Sequence, residues 1–225
     1  MGKVKLPLVI VNFKTYPECT GKKALELAKV CGKVASETKA EILIAVQAAD
    51  IRMIANEVNI KVLAQHIDPY EQGTRTGWIS PESVKEAGAV GTLLNHSERA
   101  IDAARIISSI KKCRELGLTT IVCADVPDRA EAIAYDNPDF IAIEPPELIA
   151  GNVSVSKAKP EVITESVKKV ESIRKIPVLC GAGVKNKEDV KKALNLGASG
   201  ILVASGIVKA KNPEEALRDL VEGLG

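Results

Sequence analysis

The chain has 225 residues, of which 46% are hydrophobic and 27% charged, and 31 basic against 29 acidic residues leave a formal charge of +2. That balance is ordinary for a globular chain. It speaks against a nucleic-acid partner or a membrane surface, since no block of like charge stands out and no apolar run approaches the roughly 18 residues of a span. Aromatics are only 3%, so the core must come from Val, Ile, Leu and Ala, which suits parallel strands buried on both faces.

The first apolar run, Leu8–Val11, predicts a strand, and it ends in Asn12-Phe13-Lys14. It begins so early that no secretory signal is expected. An amphipathic helix follows over Lys22–Lys39, with both charge signs on its solvated face. Then come a strand at Ile42–Val46, a helix at Asp50–Val58 and a strand at Val62–Ala64 that leads into Gln65 and His66. Ser80-Pro81 caps a helix to Ala87, with proline at its first position and Gly88 after its end. The fourth strand, Val90–Leu94, runs into Asn95-His96-Ser97-Glu98-Arg99, and a helix is predicted from Ala100 to Leu116, followed by Gly117. The pattern continues with strand Thr120–Ala124, helix Asp128–Tyr135 and strand Phe140–Ile143, which stops at Glu144. Helix Glu161–Ile173, strand Pro177–Cys180, helix Lys187–Leu196, strand Ile201–Ala204 and helix Pro213–Glu222 complete the chain.

Eight strands alternating with helices imply parallel pairing through crossovers. We expect a single (β/α)8 barrel domain over residues 1–225, near the lower size limit of about 200 residues for that fold. An eight-stranded open, doubly wound sheet is the alternative. Five cysteines with wide spacing and no Cys-x-x-Cys or Cys/His cluster indicate neither a disulfide frame nor a metal site, and fit a reducing cytoplasm.

Barrel enzymes carry their chemistry at the C-terminal ends of the strands. Those ends gather Asn12, Lys14, His96 and Glu144 at one rim. A carboxylate closing a buried strand is partly desolvated, which suits it to act as a base at neutral pH. Pro145 and Pro146 stiffen the chain just beyond it, and Gly151 lies in a stretch without helical periodicity, as a closing lid requires. At the start of a helix His96 would stay neutral and could donate a hydrogen bond. His66 reads instead as a loop contact. Lys14 could hold an anion and steady developing negative charge. The small-residue turns Gly181-Ala182-Gly183 and Ala204-Ser205-Gly206 follow strands seven and eight, where barrels bind phosphate through backbone N–H groups.

"VNFKTY", "LLNHSER", "AIEPPELI", "VLCGAGV" and "ILVASG" occur in this order over essentially the whole chain. In this the sequence resembles the triosephosphate isomerase family, and more closely its short archaeal-type branch. The resemblance implies a cofactor-independent isomerisation of glyceraldehyde 3-phosphate and dihydroxyacetone phosphate through an enediolate, with no metal. It implies Glu144 as base, His96 as electrophile, Asn12 and Lys14 as the substrate-binding pair, and Glu98 and Arg99 as supports acting through ion pairs. Ile149, Gly183, Ala204 and Ser205 match backbone contacts to phosphate. A cytoplasmic homotetramer is implied too, with the "HIDPYEQGTRTGW" segment reaching into a neighbour. The chain departs from the family pattern at Ala150-Gly151-Asn152, where many relatives have Gly-Thr-Gly, at Ala100 in place of a second arginine, and at Gly183 in place of serine. Two rivals remain. Another phosphate-binding barrel enzyme would leave His96 unexplained, and a non-catalytic sugar-phosphate sensor would bind without turnover.

Overall fold

The computed structural model describes residues 4–145 and 160–225. Eight strands close into a barrel in chain order: β1 (Leu8–Asn12), β2 (Glu41–Val46), β3 (Lys61–Ala64), β4 (Gly91–Leu94), β5 (Thr119–Ala124), β6 (Phe140–Ile143), β7 (Val178–Cys180) and β8 (Gly200–Val203). All neighbours are parallel, and β8 returns to pair with β1. The open-sheet alternative is thereby excluded. Around the barrel run α1 (Lys22–Thr38), α2 (Ile51–Ala55), α3 (Pro81–Glu86), α4 (Ala103–Leu116), α5 (Pro127–Ala134), α6 (Pro160–Ile173), α7 (Lys187–Asn195), α8 (Ser205–Val208) and α9 (Pro213–Glu222). No helix among the described residues is long and apolar enough to cross a membrane.

Successive strand side chains face opposite sides, and the barrel sorts them into two cores. Leu8, Ile10, Leu43, Leu63, Leu93 and Phe140 fill the interior, together with Ala142 and Leu202. Val9, Val11, Ile42, Ile44 and Val62 face outward and pack with helix residues such as Leu27 and Cys31. The inward series then runs one step further at the C-terminal rim. Two residues beyond Ile10 comes Asn12, two beyond Leu63 comes Gln65, and two beyond Ala142 comes Glu144. Strand period alone therefore points three polar side chains at the barrel mouth.

The helix ends follow their caps. The Ser83 N–H donates to Ser80 Oγ at 3.3 Å ahead of Pro81, and the Glu215 N–H donates to Asn212 Oδ1 at 3.3 Å. Gly117 ends α4 in the left-handed region at φ +70°, where a side chain would be strained. Two helices differ from expectation. α2 is a single short segment behind a 3-10 turn at Ala48–Asp50, because the Glu57 N–H already bonds back to Ile54 O. α4 starts at Ala103 and not at Ala100, since Asp102 accepts the Arg105 N–H at 2.8 Å and serves as the cap. Ala100 is extended, at φ −64° and ψ 141°, and Ser97–Arg99 form a separate 3-10 turn. All five cysteines are buried free thiols.

Candidate active site

Asn12, Lys14, His96, Glu144, Gly183 and Ser205 line one cavity of about 340 Å³ at the C-terminal rim. Residues far apart in the chain meet here because each ends, or follows, a different strand. Glu144 is 4% exposed and His96 7%. Imidazole Nε2 lies 3.4 Å from Glu144 Oε1, longer than a well-formed N–H···O bond. On its other side Nδ1 accepts the backbone N–H of Glu98 at 3.1 Å. A nitrogen that accepts carries a lone pair, so the ring proton sits on Nε2 and faces the carboxylate. This replaces the expected reason for a neutral His96. The residue does not stand at the start of an α-helix; it caps the short Ser97–Arg99 turn with its own ring.

Lys14 is held in a left-handed backbone at φ +50°, uncommon outside glycine. Its N–H donates to Asn12 Oδ1 at 3.0 Å, and its carbonyl accepts from Gln65 Nε2 at 2.9 Å. Gln65 Nε2 also reaches Asn12 Oδ1 at 3.3 Å and Ala45 O at 3.2 Å. The two inward rim amides thus fix the lysine. Its ammonium pairs with Glu98 Oε1 at 2.7 Å. Glu98 Oε2 lies 3.7 Å from His96 Nδ1, so Glu98 meets both cavity residues. Arg99 lines an adjoining cavity of about 300 Å³ with Gln65 and His66. Among the described residues it makes no ion pair, so the ion-pair support expected of it is not met there. His66 is the loop contact anticipated. Its Nε2 lies 3.2 Å from Asp68 Oδ1, and burial lowers its pKa, so it stays neutral at pH 7.

Two neighbours of Glu144 were not singled out by sequence reasoning. Gly181 was read only as part of a phosphate turn. A methyl group on it would stand 2.5 Å from Glu144 Cγ and 3.0 Å from Ile143 O, so glycine at the end of β7 is the seat of the Glu144 side chain. Burial, and then the neighbouring Glu144 carboxylate, push the Cys123 thiol well above its ordinary pKa, which keeps it protonated beneath the base. Among the described residues, Glu144 Oε2 is a buried oxygen without a hydrogen-bond donor.

Gly183, Ala204 and Ser205 line the same cavity. Gly183, in the turn after β7, adopts a left-handed φ of +68°. Among the described residues, the N–H groups of Gly183 and Ser205 donate no hydrogen bond outside their own segments, which leaves them for an anion. Ile149, Pro146 and the lid expected over Glu147–Val155 lie outside the described residues. No group of three or more His, Cys, Asp or Glu side chains among the described residues could hold a metal ion.

Comparison with known proteins bears on what this geometry does. The family model for triosephosphate isomerase matches residues 7–223. A triosephosphate isomerase from Methanobacterium bryantii is 52% identical over 223 residues, covering 98% of this chain and 99% of that one. One from Methanocaldococcus jannaschii is 50% identical over 216 residues, covering 96% of this chain and 99% of its own length. Among solved structures, the triosephosphate isomerase of Bartonella henselae superposes with a TM-score of 0.70 at 23% identity, over 88% of this chain and 92% of that one. At that identity the likeness shows the fold.

Proposed function

The chain belongs to the triosephosphate isomerase family, and from that premise we propose that Glu144, His96 and Lys14 carry its interconversion of glyceraldehyde 3-phosphate and dihydroxyacetone phosphate. The observation that carries these roles is the buried Glu144 carboxylate facing the proton-bearing nitrogen of His96 in a cavity shared with Lys14. Like Glu144, Ser109 and Ser166 carry buried oxygens without a donor among the described residues, so it is the place of Glu144 beside His96 and Lys14 that gives its oxygen weight.

The chemistry follows from the positions. Glu144 takes a proton from the carbon beside the substrate carbonyl and returns it to the neighbouring carbon. Electron density moves onto the carbonyl oxygen, and the intermediate is an enediolate. His96 Nε2–H donates to that oxygen and passes protons between the two oxygens. Lys14 places positive charge beside them, with Asn12 holding its backbone N–H. Fixed donors and charges of this kind stabilise a developing oxyanion without reorganisation. The phosphate is read against the backbone N–H groups of Gly183, Ala204 and Ser205, with Ile149 joining from the expected lid.

Replacing His96 with glutamine is expected to lower kcat roughly 10²-fold, at the low end for a positioned acid–base group, because the amide can donate but cannot shuttle protons. Binding of a phosphate-bearing substrate analogue, measured by calorimetry, should change far less. Equal losses in kcat and in analogue binding would make His96 a binding residue only.

We also read residues 1–225 as one catalytic barrel that assembles as a homotetramer and serves glycolysis and gluconeogenesis in the cytoplasm. The unpaired buried thiols fit a reducing compartment. The segment from Asp68 to Ile79 supports the assembly. It is closed at its base by Asp68 N–H to Ile79 O and Ile79 N–H to Asp68 Oδ2, both 2.8 Å. It is stiffened by the edge-on Tyr70–Trp78 pair, with Arg75 over the Tyr70 ring. A preshaped projection with Trp78 43% exposed suits insertion into another copy. Light scattering at micromolar concentration should give the mass of four chains, and a monomeric mass rejects the assembly.

A further inference from the structure

Asn95 immediately precedes His96, and nothing in the scheme above uses it. It is buried, and its backbone is left-handed at φ +55°, a region that Asn enters more readily than other side chains. Both ends of its amide are engaged. Nδ2 donates to Cys123 O at 2.9 Å, tying the end of β4 to β5. Oδ1 accepts the Ile101 N–H at 3.0 Å and closes the segment from Asn95 to Ile101 into a loop. Inside that loop the Arg99 N–H donates to His96 O at 2.7 Å, and the Glu98 N–H donates to His96 Nδ1 at 3.1 Å. The bond that settles which ring nitrogen carries the proton is therefore made by a turn whose two ends Asn95 fastens.

We propose that Asn95 is a positioning residue for the isomerisation: by closing the loop from 95 to 101 it holds the Glu98 N–H on His96 Nδ1, and so keeps the ring proton on Nε2, toward Glu144. This rests on the roles proposed for His96 and Glu144. It also separates two reasons for an asparagine here. If only the left-handed backbone mattered, glycine would serve as well, since it enters that region without strain. If the amide bonds matter, glycine removes both while leaving the backbone free to keep its shape.

The test is Asn95→Gly, followed by steady-state kinetics, thermal melting and the 15N spectrum of the imidazoles in the substrate-free protein. The chain has two histidines, so His96 is assigned by its disappearance in His96→Gln. We expect kcat to fall about tenfold, with KM within about twofold, the pattern of a disturbed chemical step. We also expect the His96 signals to move from a pure Nε2–H tautomer to a mixture. Wild-type kcat overturns the proposal, and so does a loss confined to KM or one with an unchanged tautomer signature. Should Asn95→Gly fail to fold, Ile101→Pro removes the N–H donor of the same Ile101–Asn95 bond, after an Ala100 whose extended backbone accepts a following proline. The same tautomer shift is expected, and its absence overturns the proposal. Failure of the underlying reading looks different. A His96→Gln enzyme as active as wild type would reject the role of His96 in catalysis, while the ring signature, read without substrate, would still report on Asn95.

Discussion

Glu144→Gln is expected to lower kcat by about 10³–10⁴-fold, the upper range for removal of a positioned general base. In barrier terms that is about 4–5.5 kcal/mol, at roughly 1.4 kcal/mol per decade. Glutamine has nearly the same shape, so the seat over Gly181 and the packing above Cys123 should be kept. What is lost is the ability to take a proton. The substitution also puts a neutral amide where a buried carboxylate oxygen has no donor among the described residues, so it should not lower the melting temperature. Binding of a phosphate-bearing analogue should stay within about threefold, since the expected phosphate contacts are made by the backbone at Gly183 and Ser205 and not by the Glu144 carboxylate. A variant that keeps kcat within about tenfold of wild type would remove Glu144 from the proton transfer.

The strands were legible because they are simple. Runs such as Ile42–Val46 and Phe140–Ile143 are short, branched and bounded, and the barrel leaves no other place for a segment apolar on both faces. The rim residues were legible for the same reason: Asn12 and Glu144 are the first polar groups after an apolar run, and strand period carries them inward. The start of α4 was not. Arg99, Ala100 and Ile101 form helices readily in isolation, but Asp102 is a stronger cap, and the Ile101 N–H is already committed to Asn95. The sequence placed His96 at the start of an α-helix, and the bond that fixes its ring, from a backbone N–H two residues ahead, was not legible there. Gln65 was noticed at a strand end, but its bond to the Lys14 carbonyl joins positions 51 residues apart, and no local pattern reports such a contact. The resemblance to a known family supplied the supporting role of Glu98 and the contact expected of Ile149, whereas the turns at Gly183 and Ala204-Ser205 were legible from their small residues and their place after strands seven and eight. The lid expected after Pro145 rested on a missing periodicity alone, and that stretch lies outside the described residues.

The role of Gly181 was the least readable of all, because what matters is an atom that the residue lacks. Gly181→Ala is expected to lower kcat by about 10²-fold or more, in line with the cost of a misplacement of about 1 Å at a reacting group. The added methyl would stand 2.5 Å from Glu144 Cγ, closer than two carbons can approach. Something must move, and the choices are unequal. The strand ends are pinned by the Gly181 N–H to Ile143 O bond at 2.9 Å and the Glu144 N–H to Ala124 O bond at 2.8 Å. The glutamate side chain is held more loosely: His96 Nε2 stands 3.4 Å from Oε1, the Cys123 thiol is only a weak donor to the carboxylate, and Oε2 accepts nothing among the described residues. The side chain is therefore the part that yields, and the carboxylate leaves its place opposite Nε2. Some loss of stability, about 1–3 kcal/mol, is expected from overpacking, so activity alone would not separate a displaced base from a damaged fold. A double-mutant cycle does. In the Glu144→Gln background the base is already gone, and adding Gly181→Ala should reduce the residual rate by no more than about threefold. A loss as large there as in the wild-type background would mean that the methyl harms the barrel mouth as a whole, and Gly181 would be a packing residue with no particular claim on Glu144.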